Sequence, residues 1–191
     1  MDFTLIAIVS YLFGSIPFGF ILTKLFLKID IRNVGSGNIG ATNALRTGNK
    51  LIAYSTLFLD ILKAIIPVLY VKFYYQDLLY ISALTAFLGH IFPIWLKFKG
   101  GKGVATYLGI LISINITFGV TFGIVWILIY VFTKYSSLAS ILGSLVIPIY
   151  VFYMNIENTT FYFIIFILIF YTHRENIKRL INKEENKTKI Y

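Results

Sequence analysis

VATYLGILISINITFGVTFGIVWILIYVF, residues 104–132, decides how this chain is arranged. It holds 29 residues without a charge, long for one bilayer crossing and short for two, because a spanning helix needs about 20 apolar residues. The polar residues Ser113, Asn115 and Thr117 mark the place for a break. With that break the expected spans are residues 3–27, 51–75, 78–96, 104–113, 116–132, 138–153 and 158–172. Then 15 of the 17 basic residues fall on one side: Lys24, Lys28, Arg32, Arg46, Lys50, Lys97, Lys99, Lys102, Lys134, Arg174, Lys178, Arg179, Lys183, Lys187 and Lys189. Lys72 stays opposite, with Asp2, Asp77 and Glu157. Without the break, Lys134 and the whole tail would lie on the wrong side. Cytoplasmic loops carry the excess of Lys and Arg, so the expectation is an all-α, polytopic integral membrane protein with seven transmembrane helices. Its N-terminus is outside and its C-terminus in the cytoplasm. The fourth helix is too short to cross alone.

Composition agrees. Of 191 residues, 58% are hydrophobic and 13% charged, against about 25% charged in soluble domains. A soluble fold this small has too much surface to hide so much apolar side chain. One membrane-embedded domain, residues 1–191, is expected. The first stretch has no basic n-region and no small-residue cleavage site, so it reads as a retained span. There is no cysteine, which excludes a disulfide framework and a Cys-ligated metal. The net charge of +9 fits orientation and anionic headgroups, with no nucleic acid implied. The residues after 181 read as a short solvated tail.

Three polar segments fall on the basic side. In SGNIGATNALR, residues 36–46, the glycines (Gly35, Gly37 and Gly40) let backbone N–H groups converge on an anionic oxygen. Ser36, Asn38, Thr42 and Asn43 add neutral donors, and Arg46 adds a planar fork suited to phosphate. In GHIFPIWLKFKGGKGVAT, residues 89–106, Lys99, Gly100, Gly101, Lys102 and Gly103 precede a helix start, where free N–H groups and the dipole attract anions. The spacing is not that of a Walker A loop. His90 is the weakest member. In HRENIKRL, residues 173–180, His173 and Asn176 share a helix face, while Lys178, Lys183 and Lys187 read as a basic strip on anionic lipid. Asp60 and Lys63 lie inside the second span, where ionisable groups are functional or paired. Their spacing permits an ion pair as readily as substrate contact. Hydroxyls of residues 135–140, Ser140 among them, lead into the sixth span on the same side. No zinc-binding helix, no Ser-His-Asp order and no paired carboxylates appear, so no metal and no cofactor are expected.

These segments, with GSIPFG at residues 14–19 and LDILKA at residues 59–64, resemble the acyl-phosphate-dependent glycerol-3-phosphate acyltransferase family over essentially the whole chain. Ala64 stands where glycine is expected after the lysine, and Asn182 where glycine commonly ends the third motif. The HxxxxD pattern of other glycerolipid acyltransferases is absent. The resemblance implies a metal-free bacterial inner-membrane enzyme with seven spans and a cytoplasmic active site. It implies transfer of an acyl group from acyl phosphate to sn-glycerol 3-phosphate, giving lysophosphatidic acid and phosphate in phospholipid biosynthesis. The soluble phosphate acyltransferase that makes the donor is an expected partner, besides membrane lipid.

On that footing Ser36, Arg46, Lys102, His173 and Asn176 hold glycerol 3-phosphate, with Arg46 and Lys102 on its phosphate. Gly37, Asn38, Thr42 and Ser140 cradle the acyl-phosphate headgroup. Gly40, Asn43, Asp60, Lys63, His90, Lys99, Gly100, Gly101 and Gly103 complete the binding set. The base is either His173 or the donor's own phosphate. The competing reading is a transporter for anions or phosphate esters. Transporters place their site near the midplane, whereas here the donors gather at one interface.

Overall fold

Ile16-Pro17 interrupts the first apolar stretch. The residue before a proline is pushed out of the helical region, and Ile16 is extended, with φ −61° and ψ 116°. The structure, a computed structural model, describes residues 2–187. Met1 and residues 188–191, including Lys189 of the expected basic set, lie outside the described residues. Helix α1 is Phe3–Ser15 and α2 is Phe18–Leu22, extended by a π-helical turn, Thr23–Leu27. A short α3 (Ala41–Leu45) precedes the long α4 (Lys50–Tyr74). Then follow α5 (Leu79–Ile91), α6 (Val104–Ile114), α7 (Ile116–Thr133), α8 (Ser136–Tyr153), α9 (Thr159–Thr172) and α10 (Arg174–Ile181). The described residues contain no strand.

The uncharged run does break where its polar residues gather. α6 stops at Ile114. Asn115 is extended, and its side-chain oxygen accepts from the Thr117 amide at 2.9 Å. This is an N-cap, which satisfies one of the amides a helix start leaves without an intrahelical partner. Five helical stretches are long and apolar enough to cross a membrane, and Val104–Ile114 and Thr159–Thr172 are shorter apolar helices.

The contacts group the chain into two compact units, Met1–Ile114 and Asn115–Tyr191. In the first, small residues bring helices close together. A Cβ on Gly14 would collide with the Ala86 backbone, one on Gly89 with the Tyr11 carbonyl, and one on Gly109 with the Ile61 carbonyl. So α1 packs on α5 and α6 on α4 at backbone distance, the arrangement favoured in lipid, where packing rather than water exclusion drives helix association. The hydroxyls of Ser10 and Ser82 share a hydrogen bond of 2.8 Å across the α1–α5 seam. In the second unit α8 packs against both α7 and α9, with Phe118 edge-on to Tyr162. Outward-facing residues such as Phe58, Ile124, Val131 and Ile167 are exposed. Apolar exposure of this extent marks a surface that meets lipid.

Lys72, the lone basic residue expected opposite the others, has a defined task. Its ammonium donates to the carbonyls of Ser113 and Ile114 at 2.8 and 2.9 Å. These are carbonyls that the end of α6 leaves without intrahelical partners, and a cation is favourable at that dipole end. Lys72→Met should destabilise the protein by about 2 kcal/mol, since a hydrogen bond to a charged group is worth about 1.5–3 kcal/mol. Thermal unfolding in detergent would register this as a lowered midpoint.

Candidate active site

In the first unit the helices alternate in direction, so the segment between α2 and α4 and the segment between α5 and α6 emerge at the same end. The first is organised by Asn43, which is buried. Its amide nitrogen lies 3.1, 2.9 and 2.8 Å from the carbonyls of Ile31, Val34 and Asn38. Its oxygen accepts from the Ser36 amide at 3.0 Å. The Asn38 oxygen accepts from the Gly40 amide at 2.9 Å. Asn43 therefore shapes the loop with the donor expected to face substrate, whereas Asn38 lends the loop only its oxygen. Gly35 and Gly37 take left-handed φ values of 53° and 70°, and a Cβ on Gly35 would strike both Asn43 and the Arg46 side chain. Arg46 thus lies along the Gly35 backbone, beside Ser36, and both Arg46 and Ser36 are exposed. Arg32 is held differently. Its guanidinium grips Asp30, with contacts from 2.6 to 3.2 Å, and these hydrogen bonds hold the Asp30 carboxyl at about 2.

One further glycine serves this loop. The Ile39 carbonyl rests on α2 at Gly19, where a Cβ would collide with it. Gly19 belongs to GSIPFG, yet its type alone did not mark it as part of the site.

The second loop passes through two consecutive left-handed residues, Lys97 (φ 53°) and Phe98 (φ 61°). The amides of Gly100 and Gly101 then donate to the carbonyls of Ile91 and His90 at 3.2 and 3.1 Å. These two N–H groups close off the end of α5 and are not directed at a ligand. The anion-attracting groups of the segment are instead the Lys102 side chain, which is half-buried, and the first turn of α6, whose early amides have no intrahelical acceptor. Lys99 is exposed. Gly103, at φ 86°, is seated against the Phe87 ring.

Beneath this loop lie Asp60, Lys63 and His90, all nearly inaccessible. The Lys63 ammonium is 2.7 Å from Asp60 Oδ1 and donates to the Ile16 carbonyl at 2.7 Å. His90 Nδ1 is 3.8 Å from the same carboxylate oxygen.

In the second unit the start of α8 and the end of α9 share one end. His173 and Asn176 are both buried. The His173 Nδ1 lies 2.8 Å from the Ile169 carbonyl. A carbonyl only accepts, so Nδ1 carries a proton, and the tautomer this selects for a neutral ring has its lone pair on Nε2. Ser140 donates its hydroxyl to the Ser136 carbonyl at 2.7 Å and accepts from the Trp126 indole at 3.0 Å. Its proton is thus directed to the α8 backbone.

The tail departs from expectation as well. Residues 182–187 are not uniformly solvated, because Glu185 folds back. Its carboxylate accepts from Ser137 at 2.7 Å, from Asn176 at 2.6 Å and from Arg179 at 2.7 Å. Burial pushes this carboxyl up, and the three hydrogen bonds outweigh it and hold it below the usual range.

Comparison with known proteins agrees with this architecture. A profile of the glycerol-3-phosphate acyltransferase family matches residues 4–183. The glycerol-3-phosphate acyltransferase of Pelagibacter ubique (strain HTCC1062) is 65% identical over 191 residues, covering 100% of both chains. That of Brucella canis (strain ATCC 23365 / NCTC 10854 / RM-666) is 46% identical, covering 94% of this chain and 90% of its own. Among solved structures, the glycerol 3-phosphate form of PlsY (YgiH), an integral membrane glycerol 3-phosphate acyltransferase, superposes with a TM-score of 0.92 at 38% identity. It covers 98% of this chain and 96% of that one. The lysophosphatidic acid form of PlsY gives a TM-score of 0.88 at 37% identity, covering 97% of this chain and 94% of that one. A multi-pass helical membrane protein carrying these loops, the chain belongs to the glycerol-3-phosphate acyltransferase family.

Proposed function

We propose that this protein transfers an acyl group from acyl phosphate to sn-glycerol 3-phosphate, forming 1-acyl-sn-glycerol 3-phosphate and inorganic phosphate. Family membership supports the acceptor and the reaction class. The observation that carries the reading is that two glycine-bearing loops leave the same end of the first unit, one presenting Ser36 and Arg46, the other Lys102. Two phosphorylated reactants repel each other, and a cationic end lowers that barrier. Arg46 and Lys102 bind the acceptor's phosphate, with Ser36, His173 and Asn176 completing its contacts. The backbone around Gly37 and the Thr42 side chain receive the donor's headgroup.

An acyl phosphate is a mixed anhydride with a good leaving group, so no acyl-enzyme is needed. The glycerol hydroxyl attacks the acyl carbonyl, the C–O bond to phosphate breaks, and the hydroxyl proton passes to a base. Alignment of the two substrates supplies much of the rate, and donors that follow the charge onto the departing phosphate supply more. The base is either His173 Nε2, the acceptor atom of the neutral ring, or the donor phosphate itself. His173→Gln distinguishes them, since a variant retaining most of kcat removes the imidazole from that role. Arg46→Ala should raise KM for glycerol 3-phosphate by about 100-fold, the loss of a charge-assisted bidentate contact. Unchanged kinetics would refute the phosphate assignment.

Purified protein supplied with palmitoyl phosphate and glycerol 3-phosphate should release phosphate, and palmitoyl-CoA should not replace the donor. Turnover with the thioester alone would overturn the acyl-phosphate reading. We further propose seven spans, the short α6 and α9 included, in the inner membrane of a bacterium. The N-terminus faces outward, and the site and C-terminus face the cytoplasm, where a soluble phosphate acyltransferase delivers the donor. The natural sequence has no cysteine, so single cysteines at Asp77 and Lys187 should label from opposite sides of sealed vesicles.

A further inference from the structure

We infer that Asp60, Lys63 and His90 are positioning residues that set both substrate loops of the first unit from beneath and do not touch substrate. Lys63 and Asp60 side chains are 2% and 3% exposed, and His90 is 4% exposed, so none presents a group at the surface where the loops emerge. Their contacts run to backbone instead. Lys63 donates to the Ile16 carbonyl, the group at the α1–α2 break that Pro17 leaves outside a regular helix. The Phe18 ring stands 5.9 Å from the same ammonium. Lys63 therefore holds the break from which α2 departs, and α2 carries Gly19, the seat of the Ile39 carbonyl in the Ser36 loop.

His90 supports the other loop twice. Its carbonyl receives the Gly101 amide. Its ring lies so close under Gly101 that a Cβ there would overlap Nε2, while a Cβ on Gly100 would overlap the His90 carbonyl. Asp60 joins the two supports, as its Oδ1 faces both the Lys63 ammonium and the His90 ring. The Asp60 carbonyl also lies 3.4 Å from the Thr106 hydroxyl in the first turns of α6. One buried cluster thus fixes where Ser36 and Arg46 stand relative to Lys102. The inference rests on the reading that these loops hold the reactants' phosphates. It also accounts for an ion pair at membrane depth that the chemistry of transfer does not require.

The test uses Asp60→Asn/Lys63→Met, which removes both charges together and leaves no unpaired one, and His90→Phe, which keeps a ring beneath Gly101. In both, the full-length protein without substrate should show amide hydrogen exchange at Gly100 and Gly101 accelerated by about tenfold or more, the sign of local opening. KM for glycerol 3-phosphate should rise by about tenfold, with kcat within about threefold, the pattern of lost binding geometry rather than lost chemistry. The unfolding midpoint of the double variant should stay within about 5 °C of the parent. Exchange unchanged in variants with raised KM would mean direct contact with substrate and would overturn the inference. So would parental exchange together with parental kinetics. If the donor reading alone fails, the parent is inactive with acyl phosphate, and the exchange result still decides.

Discussion

Gly101→Ala should lower kcat/KM for glycerol 3-phosphate by about 100-fold, equivalent to about 2.7 kcal/mol, while the protein still inserts and purifies. The added methyl would meet the His90 imidazole, which is buried and cannot swing aside. Overpacking of this kind costs about 1–3 kcal/mol. The loop is the softer partner, since Lys97 and Phe98, just upstream of Lys99 and the glycines, already hold left-handed φ values. It should yield by stretching the Gly100 and Gly101 hydrogen bonds to α5, which moves Lys102 and the first turn of α6. Steady-state kinetics beside a thermal melt separates this from misfolding, because the expected loss is mainly in KM. Gly48→Ala is the control: it has a positive φ of 85° but no atom within 4 Å of the added Cβ, and it should leave KM near parental.

Glu185→Ala should be as damaging, by a different route. It deprives Ser137, Asn176 and Arg179 of their common acceptor. A hydrogen bond involving a charged group contributes about 1.5–3 kcal/mol, and three on one carboxylate do not simply add, so a loss of about 3 kcal/mol is expected. Asn176 would then lose the 2.6 Å contact that ties it to the tail, and turnover should fall with stability. The sign of the pH effect follows from the depressed carboxyl. The stabilisation is fully present above the ordinary carboxylate range and is lost as pH falls through the lower folded-state value. The parent's unfolding midpoint should therefore drop on acidification below about pH 4, and Glu185→Gln should flatten that dependence. A variant whose midpoint and pH profile match the parent would show that the tail contact contributes nothing.

Helix positions were legible because apolar runs and their polar interruptions are one-dimensional features. Asn115 shows why: an asparagine between two apolar runs is both a break and a cap, and the structure uses it as both. The loops were legible as places rich in glycine and donors. What residue type does not disclose is direction. By residue type Asn43 reads as a substrate donor, but an asparagine side chain can hold a loop's own carbonyls equally well, and this one is buried doing so. Ser140 is similar, since a helical serine readily returns its proton to the carbonyl four residues back. Glu185 was illegible for another reason. It lies in a polar, charged stretch with the composition of a solvated tail, and its partner Ser137 is 48 positions away. Only the return of the chain after α10 brings them together.

The Asp60–Lys63 pair also bears on how the protein is made. Both residues belong to α4, three positions apart, so their charges neutralise within one helix and need no second helix to do so. A lone Asp or Lys at the centre of a nascent segment opposes its release from the translocon into lipid by about 2.5–3.5 kcal/mol. A helix carrying its own counterion enters as a near-neutral segment before its neighbours are synthesised. Moving the lysine onto α5, even where the finished protein could still form the bridge, would leave α4 to enter charged. The defect would then appear as poor biogenesis, not as a slow enzyme.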